Sequence, residues 1–186
     1  MYLIVGLGNP EPEYSHTRHN MGFDTINKIA EMYDIKITKK KFNSLYGSGE
    51  IEGKKVVLVK PQTYMNLSGE AIGKFVSYYK INDPQNIIVI YDDMDTEIST
   101  IKIRKKGGPG SHNGMKSVVH ELGTEEFSRV RIGIGKPIEK SETIDFVIKK
   151  IDEEIYAKLE EGIEKASKAI VEIIRNGIDA SMNKFN

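Results

Sequence analysis

Apolar and polar positions divide the chain into short runs of clear period. YLIVGL at the start is apolar and rich in branched residues, ends at Gly6 and Gly8, and so predicts a buried strand. Beyond a loop holding Pro10 and Pro12, residues Met21, Ile26, Ile29, Ala30 and Tyr33 recur near helical spacing and predict a helix over His19–Tyr33. LYGSGEI and KKVVLVKP flank Glu52-Gly53, which reads as a hairpin. Ala71, Ile72, Phe75, Val76 and Tyr79 form the stripe of a helix over Gly69–Tyr79, with Asn66 or Ser68 as its expected cap. NIIVIYDD predicts a second buried strand that ends in acids, and TIKIRKK a strand with one charged face. GGPGSHNG is a loop before a helix over Asn113–Leu122, which Gly123 stops, and RVRIGIG is a third strong strand. Apolar positions from Asp152 to Arg175, among them Ile155, Leu159, Ile163, Ala166 and Ile170, follow spacings of three and four and predict one long amphipathic helix.

Strands alternating with helices, with a hairpin among them, imply an α/β fold. The expected form is a three-layer sandwich: a mixed, twisted sheet flanked by helices and closed by the long C-terminal helix. Length, and the absence of any repeat or linker, put residues 1–186 in a single domain. With no cysteine, disulfides, thiolate nucleophiles and thiolate metal sites are excluded. No signal-peptide pattern and no membrane-length apolar run is present, so a cytoplasmic location is the expectation. Net charge is zero, but its distribution is uneven. Ile101–Val119 carries Lys102, Arg104, Lys105, Lys106 and Lys116 and no acid, whereas Glu139–Glu164 is rich in acids.

Two glycine loops invite a nucleotide reading, and both fail on spacing. GLGNP has Glu11 where the third glycine of G-x-G-x-x-G belongs, and it puts Pro10 where a phosphate-binding N–H is needed. In GGPGSHNGMKS, Met115 separates Gly114 from Lys116, which breaks the P-loop pattern. Both loops instead bring amides and an imidazole to strand ends: Asn9 with His19 and Asn20 from the first, His112 with Asn113 from the second. TYMNLSG adds Asn66, and NIIVIY leads to Asp92. Ligands of open α/β sheets collect beyond the carboxyl ends of the strands, so these groups are expected around one catalytic crevice. The four histidines are joined by no compact carboxylate cluster in sequence, and no metal or other cofactor is expected.

GLGNP, Tyr14, TRHN, TYMNLSG, the D-D-x-D run from Asp92, HNG-x-K-S and R-x-R-I-G-I-G occur here in fixed order. In these motifs, over Tyr2 to about Lys150, the chain closely resembles the bacterial peptidyl-tRNA hydrolases. These are cytoplasmic esterases that free tRNA from prematurely released peptides. The resemblance implies His19 as the catalytic base, Asp92 as the acid that stabilises its working form, and Asn9 as the residue that tells N-blocked from free aminoacyl-tRNA. It places Tyr14, Tyr64, Met65, Asn66, His112 and Asn113 at the substrate, His112 either ordering its loop or touching RNA. Lys102, Arg104, Lys105 and Arg131 are expected at tRNA phosphates, with Lys102 and Arg104 in a patch for the acceptor stem. The implied partner is peptidyl-tRNA through its acceptor stem and CCA end, met by a monomer with no membrane and no metal. Relatives often have phenylalanine at Tyr64 and a more glycine-rich run than GGPGSHNG, where Pro109 and Ser111 should stiffen the loop. The alternatives are a non-catalytic RNA-binding relative and a small-molecule esterase. The first would bind tRNA without hydrolysis, and the second would show little sensitivity to salt.

Overall fold

The computed structural model describes residues 1–186. In chain order the elements are β1 (Tyr2–Gly6), α1 (Met21–Met32), β2 (Lys39–Lys41), β3 (Ser44–Ile51), β4 (Lys54–Pro61), α2 (Ser68–Tyr79), β5 (Ile87–Asp93), β6 (Ile101–Arg104), α3 (Asn113–Leu122), β7 (Ser128–Gly133), α4 (Thr143–Ile148), α5 (Glu153–Asn176) and α6 (Ile178–Phe185). The seven strands form one sheet in the order β2-β3-β4-β1-β5-β7-β6. β4, β1, β5 and β7 run parallel, while β2, β3 and β6 add antiparallel edges.

The apolar run of β1 takes the centre because both of its faces are buried. Leu3, Val5 and Leu7 join Ile72 and Phe75 of α2 and Met115 and Val118 of α3 in one core. Ile4 joins Met21, Ile26 and Ile29 of α1 with Ile163, Ala166 and Ile170 of α5 in the other. The molecule is therefore the three-layer α/β sandwich that the periodicity implies, with α5 as its long C-terminal cover. No helix is long and apolar enough to cross a membrane.

Local chemistry explains most boundaries. Glu52 and Gly53 both take positive φ, +51° and +73°, as a tight hairpin between β3 and β4 requires. Gly123 ends α3 in the left-handed conformation, and the Asp152 carboxylate caps α5 by accepting from the Ile155 N–H at 2.8 Å. One expectation needs correction. Neither Asn66 nor Ser68 caps α2: Ser68 is already helical, and its hydroxyl donates back to the Met65 carbonyl at 2.8 Å. The short edge strand β2 and the final helix α6 carry too few periodic positions to stand out in the sequence.

The first glycine turn serves packing. A Cβ on Gly6 would lie 2.1 Å from the Gly22 carbonyl oxygen, and one on Gly22 would lie 2.4 Å from the Leu7 nitrogen. Helix α1 can thus approach β1 closely, which brings its N-terminal turn, and His19 with it, over the strand ends.

Candidate active site

The crevice is a cavity of about 550 Å³ beyond the carboxyl ends of the parallel strands. The β1 loop contributes Asn9, the segment after β4 contributes Tyr64, Met65 and Asn66, and β5 contributes Asp92. His19, Arg131, residues Asp93 to Asp95, the loop from Gly108 to Asn113, and α4 complete the wall. Chain order explains the convergence. β1 has β4 on one side and β5 on the other, so its loop lies at the point where the strand order reverses.

His19 sits in a 3₁₀ turn, Arg18–Asn20, that leads into α1. Its Nδ1 lies 2.9 Å from each carboxylate oxygen of the buried Asp92. With the Nδ1–H donating to Asp92, the proton-free Nε2, which has no protein partner, is left as a base on the crevice. The Asp92 carboxylate has a second imidazole. His112 Nε2 is 2.9 Å from Oδ1, while its Nδ1 accepts the Met115 N–H at 3.2 Å as the N-cap of α3. That cap fixes the tautomer: Nδ1 must hold a lone pair, so Nε2 carries the hydrogen and donates to Asp92. The two rings stand 5.0 Å apart, one on each side of one carboxylate. His112 is thus a positioning residue for the acid.

Electrostatics follow from this arrangement. Burial opposes ionisation of Asp92, but electrostatic attraction to His19 and His112 and hydrogen bonds from both rings win and hold its carboxyl far below the usual range. Burial also disfavours protonation of His19. The Asp92 charge and hydrogen bond outweigh it, and the His19 pKa is raised above the usual imidazole value.

Two imidazoles and a carboxylate within 4.8 Å of one another resemble a metal ligand set, a cluster the sequence did not display. The donor chemistry does not fit an ion. A metal on His112 Nε2 would put the ring proton on Nδ1, against the Met115 N–H.

Asn9 is buried and held by three hydrogen bonds to two residues. Its N–H donates to Asn20 Oδ1 at 2.9 Å, its carbonyl accepts from Asn20 Nδ2 at 2.9 Å, and its own Oδ1 accepts the Met65 N–H at 2.9 Å. These bonds settle the amide orientation and leave Nδ2 as an unused donor at the crevice. Tyr64 precedes Met65 with φ +62° and ψ +161°, a region nearly reserved for glycine, and its phenol donates to Glu11. Such strain is sustained only when the surroundings fix it, and here it aims the Met65 N–H at Asn9. Asn66 and Asn113 also line the crevice, both exposed and with no side-chain bond to the protein.

The remaining expected residues are placed less uniformly. Tyr14 is half-buried in the turn Pro12–Tyr14 and lies outside the crevice wall. Lys102 and Arg104 alternate along β6 with the buried Ile101 and Ile103 and also lie outside the crevice. Lys105 pairs with Asp179 at 2.6 Å, and Arg131, which does line the crevice, pairs with Asp93 at 2.9 Å.

Two residues gain a positioning role that the sequence did not assign, although Asn20 was expected near the crevice. Asn20 stands in TRHN, but its double bond to Asn9 needs the fold to be seen. Arg129 is buried, stacks over Phe127 at 4.3 Å, and donates to the carbonyls of Gly108 at 3.2 Å and Glu125 at 2.9 Å. It ties down one end of the loop whose other end His112 holds to Asp92. In sequence it reads only as another charge of a basic strand.

The family model described as peptidyl-tRNA hydrolase matches residues 3–186. This chain belongs to the peptidyl-tRNA hydrolase family. A peptidyl-tRNA hydrolase of Thermoanaerobacter sp. (strain X514) is 50% identical over 186 residues, all of both chains. One from Clostridium acetobutylicum is 49% identical over all of this chain and 98% of its own. Among solved structures, the crystal structure of peptidyl-tRNA hydrolase from Acinetobacter baumannii superposes with a TM-score of 0.92 at 36% identity, covering 99% of this chain and 93% of that one. Family membership and the crevice geometry rest on separate observations.

Proposed function

We propose that this peptidyl-tRNA hydrolase cleaves the ester between the carboxyl end of a peptide, or of an N-blocked amino acid, and the 3′-terminal ribose of tRNA, with water as the nucleophile. The observation that carries this reading is the Asp92 carboxylate bonded to His19 Nδ1, which leaves His19 Nε2 unbonded on the crevice. Nε2 takes a proton from water as the oxygen attacks the ester carbonyl. Asp92 stabilises the resulting imidazolium. The carbonyl oxygen becomes an oxyanion, and Asn9 Nδ2, already oriented by its neighbours, donates to it. Collapse of the tetrahedral intermediate breaks the bond to the ribose oxygen, which recovers the proton from His19. Asn66 and Asn113, unbonded at the mouth, position the substrate. An ester leaving group needs no covalent intermediate, and no serine stands in a nucleophile elbow. Lys102, Arg104 and Arg131 contact acceptor-stem phosphates, Arg131 exchanging part of its pairing with Asp93 for RNA. The substrate makes the cytoplasm the place of action, and we propose a monomer.

The decisive comparison pairs N-acetylated aminoacyl-tRNA with its unblocked twin. We expect cleavage of the blocked form alone, declining steeply with salt. Salt-insensitive cleavage would indicate a small-molecule esterase, and binding without cleavage would indicate a non-catalytic RNA-binding protein. Proton balance gives a further expectation. Because the His19 pKa is raised, the base is lost on acidification at a pH above the ordinary imidazole midpoint of about 6.5. The acid limb of kcat/KM, measured over the neutral range, should therefore lie above that value. A midpoint at or below it would contradict the Asp92–His19 pairing.

A further inference from the structure

The sequence contains two runs of three consecutive cations, Lys39–Lys41 and Arg104–Lys106. The first run is edge strand β2 itself, and the second starts at the last residue of the opposite edge strand, β6, and continues past it. Six strand spacings separate the edges, roughly 29 Å. In the β6 run, Lys105 and Lys106 pair with Asp179 and Glu126. None of the three lysines of β2 is ion-paired, nor is nearby Lys74, so the proposed acceptor-stem edge is partly neutralised and the other edge is not.

Register places the uncompensated run toward the crevice. Ser44 pairs with both Lys41 and Pro61, the last residue of β4, and the Gln62 N–H donates to the Asn43 carbonyl at 2.8 Å. The turn after Lys41 therefore lies at the carboxyl end of β4, the end from which Tyr64 and Met65 enter the active site.

Lysines on an edge strand are a common guard against aggregation. That does not explain the aromatic rings among them. Tyr78 is 54% exposed, and the Lys41 ammonium lies 4.5 Å from its ring centroid and 5.1 Å from that of Phe42. Phe42 packs edge-on against Tyr78 at 5.6 Å and against buried Phe75 at 5.2 Å, which anchors the group. Exposed rings defeat edge protection, whereas ammonium groups interleaved with fixed aromatics suit an RNA backbone and its sugars and bases. Glu70 and Glu121 border the groove beside Tyr78, which confines the positive strip to β2 and its turn.

We propose that Lys39, Lys40 and Lys41, with Phe42 and Tyr78, form a second RNA-contact surface that engages phosphates of the tRNA substrate from the side of the crevice opposite Lys102 and Arg104. This rests on the function proposed above. Held at both edges, the tRNA would straddle the crevice mouth while its unpaired 3′ end enters.

The test uses the full-length enzyme carrying Lys39→Ala, Lys40→Ala and Lys41→Ala together, and the corresponding triple arginine variant. KM for N-acetylaminoacyl-tRNA is measured against salt, alongside hydrolysis of 3′-O-(N-acetylaminoacyl)adenosine, which lacks phosphates. The alanine variant should show KM raised about tenfold at low salt and a log–log salt slope shallower by about two, with kcat unchanged. Hydrolysis of the adenosine ester should match wild type, and the arginine variant should keep the wild-type slope. A KM and slope equal to wild type would overturn the proposal and leave the lysines to edge protection or another partner. Equal losses on both substrates would overturn it as well, by tracing the effect to the crevice. If the wild-type enzyme fails to cleave the blocked aminoacyl-tRNA, the proposed function itself falls.

Discussion

His19→Ala and Asp92→Asn are each expected to lower kcat for N-acetylaminoacyl-tRNA by on the order of 10²–10⁴, with the double variant little worse than either single one. The alanine change removes the base outright. The asparagine change acts through the tautomer. Wild-type Asp92 accepts hydrogens from both His19 Nδ1 and His112 Nε2. A carboxamide offers one oxygen and one NH₂ group, so one ring must present a lone pair instead. His112 cannot yield, because its Nδ1 is committed to the Met115 N–H and its hydrogen stays on Nε2. The NH₂ group therefore turns to His19, whose proton moves to Nε2, the atom that should receive hydrogen from water. Nitrogen NMR of the His19 ring should show this exchange of protonated positions in Asp92→Asn, and kcat should fall without a comparable rise in KM. Activity within tenfold of wild type in either single variant would remove the dyad from the mechanism.

What the sequence disclosed and what it withheld separate along physical lines. Elements with long periodic patterns were legible, since burying an apolar stripe needs only spacing: β1, β5, the β3–β4 hairpin, α3 and α5 lie close to where they were expected. His19, Asp92, Asn9, Asn66 and Asn113 were legible as a group because each follows a glycine turn or a strand end. Their hierarchy was not. Burial and bonding make Asn9 a fixed donor and leave Asn66 and Asn113 free, but all three are the same letter in sequence. His112 could equally have faced RNA, and only the α3 cap together with Asp92 gives it a direction. Tyr14, expected at the substrate, sits in the turn Pro12–Tyr14 outside the crevice wall, a placement the motif alone does not give. Charge was the least legible property. Lys105 and Arg131 look as available as Lys102, yet acids from α6 and β5 reach them across the fold, while the uncompensated Lys39–Lys41 run resembles any solvated edge.

Asn9→Asp separates recognition from catalysis at the site's best-oriented amide. The replacement keeps the oxygen that accepts the Met65 N–H, and its backbone remains clasped by Asn20. Only the Nδ2 donor is lost, exchanged for an acceptor that repels a developing oxyanion. Loss of one such preorganised donor costs on the order of 10²–10³ in kcat, about 3–4 kcal/mol. The second carboxylate near His19 would also raise the imidazole pKa and move the acid limb to higher pH. The comparison therefore belongs on the alkaline plateau, where His19 is neutral in both enzymes. There, kcat should remain depressed while KM changes by no more than a few-fold. Asn66→Asp and Asn113→Asp, at unfixed amides, should weigh more on KM. If Asn9→Asp raised KM alone and left kcat intact, Asn9 would be a recognition group only, and the oxyanion donor would have to be sought at Asn66 or Asn113.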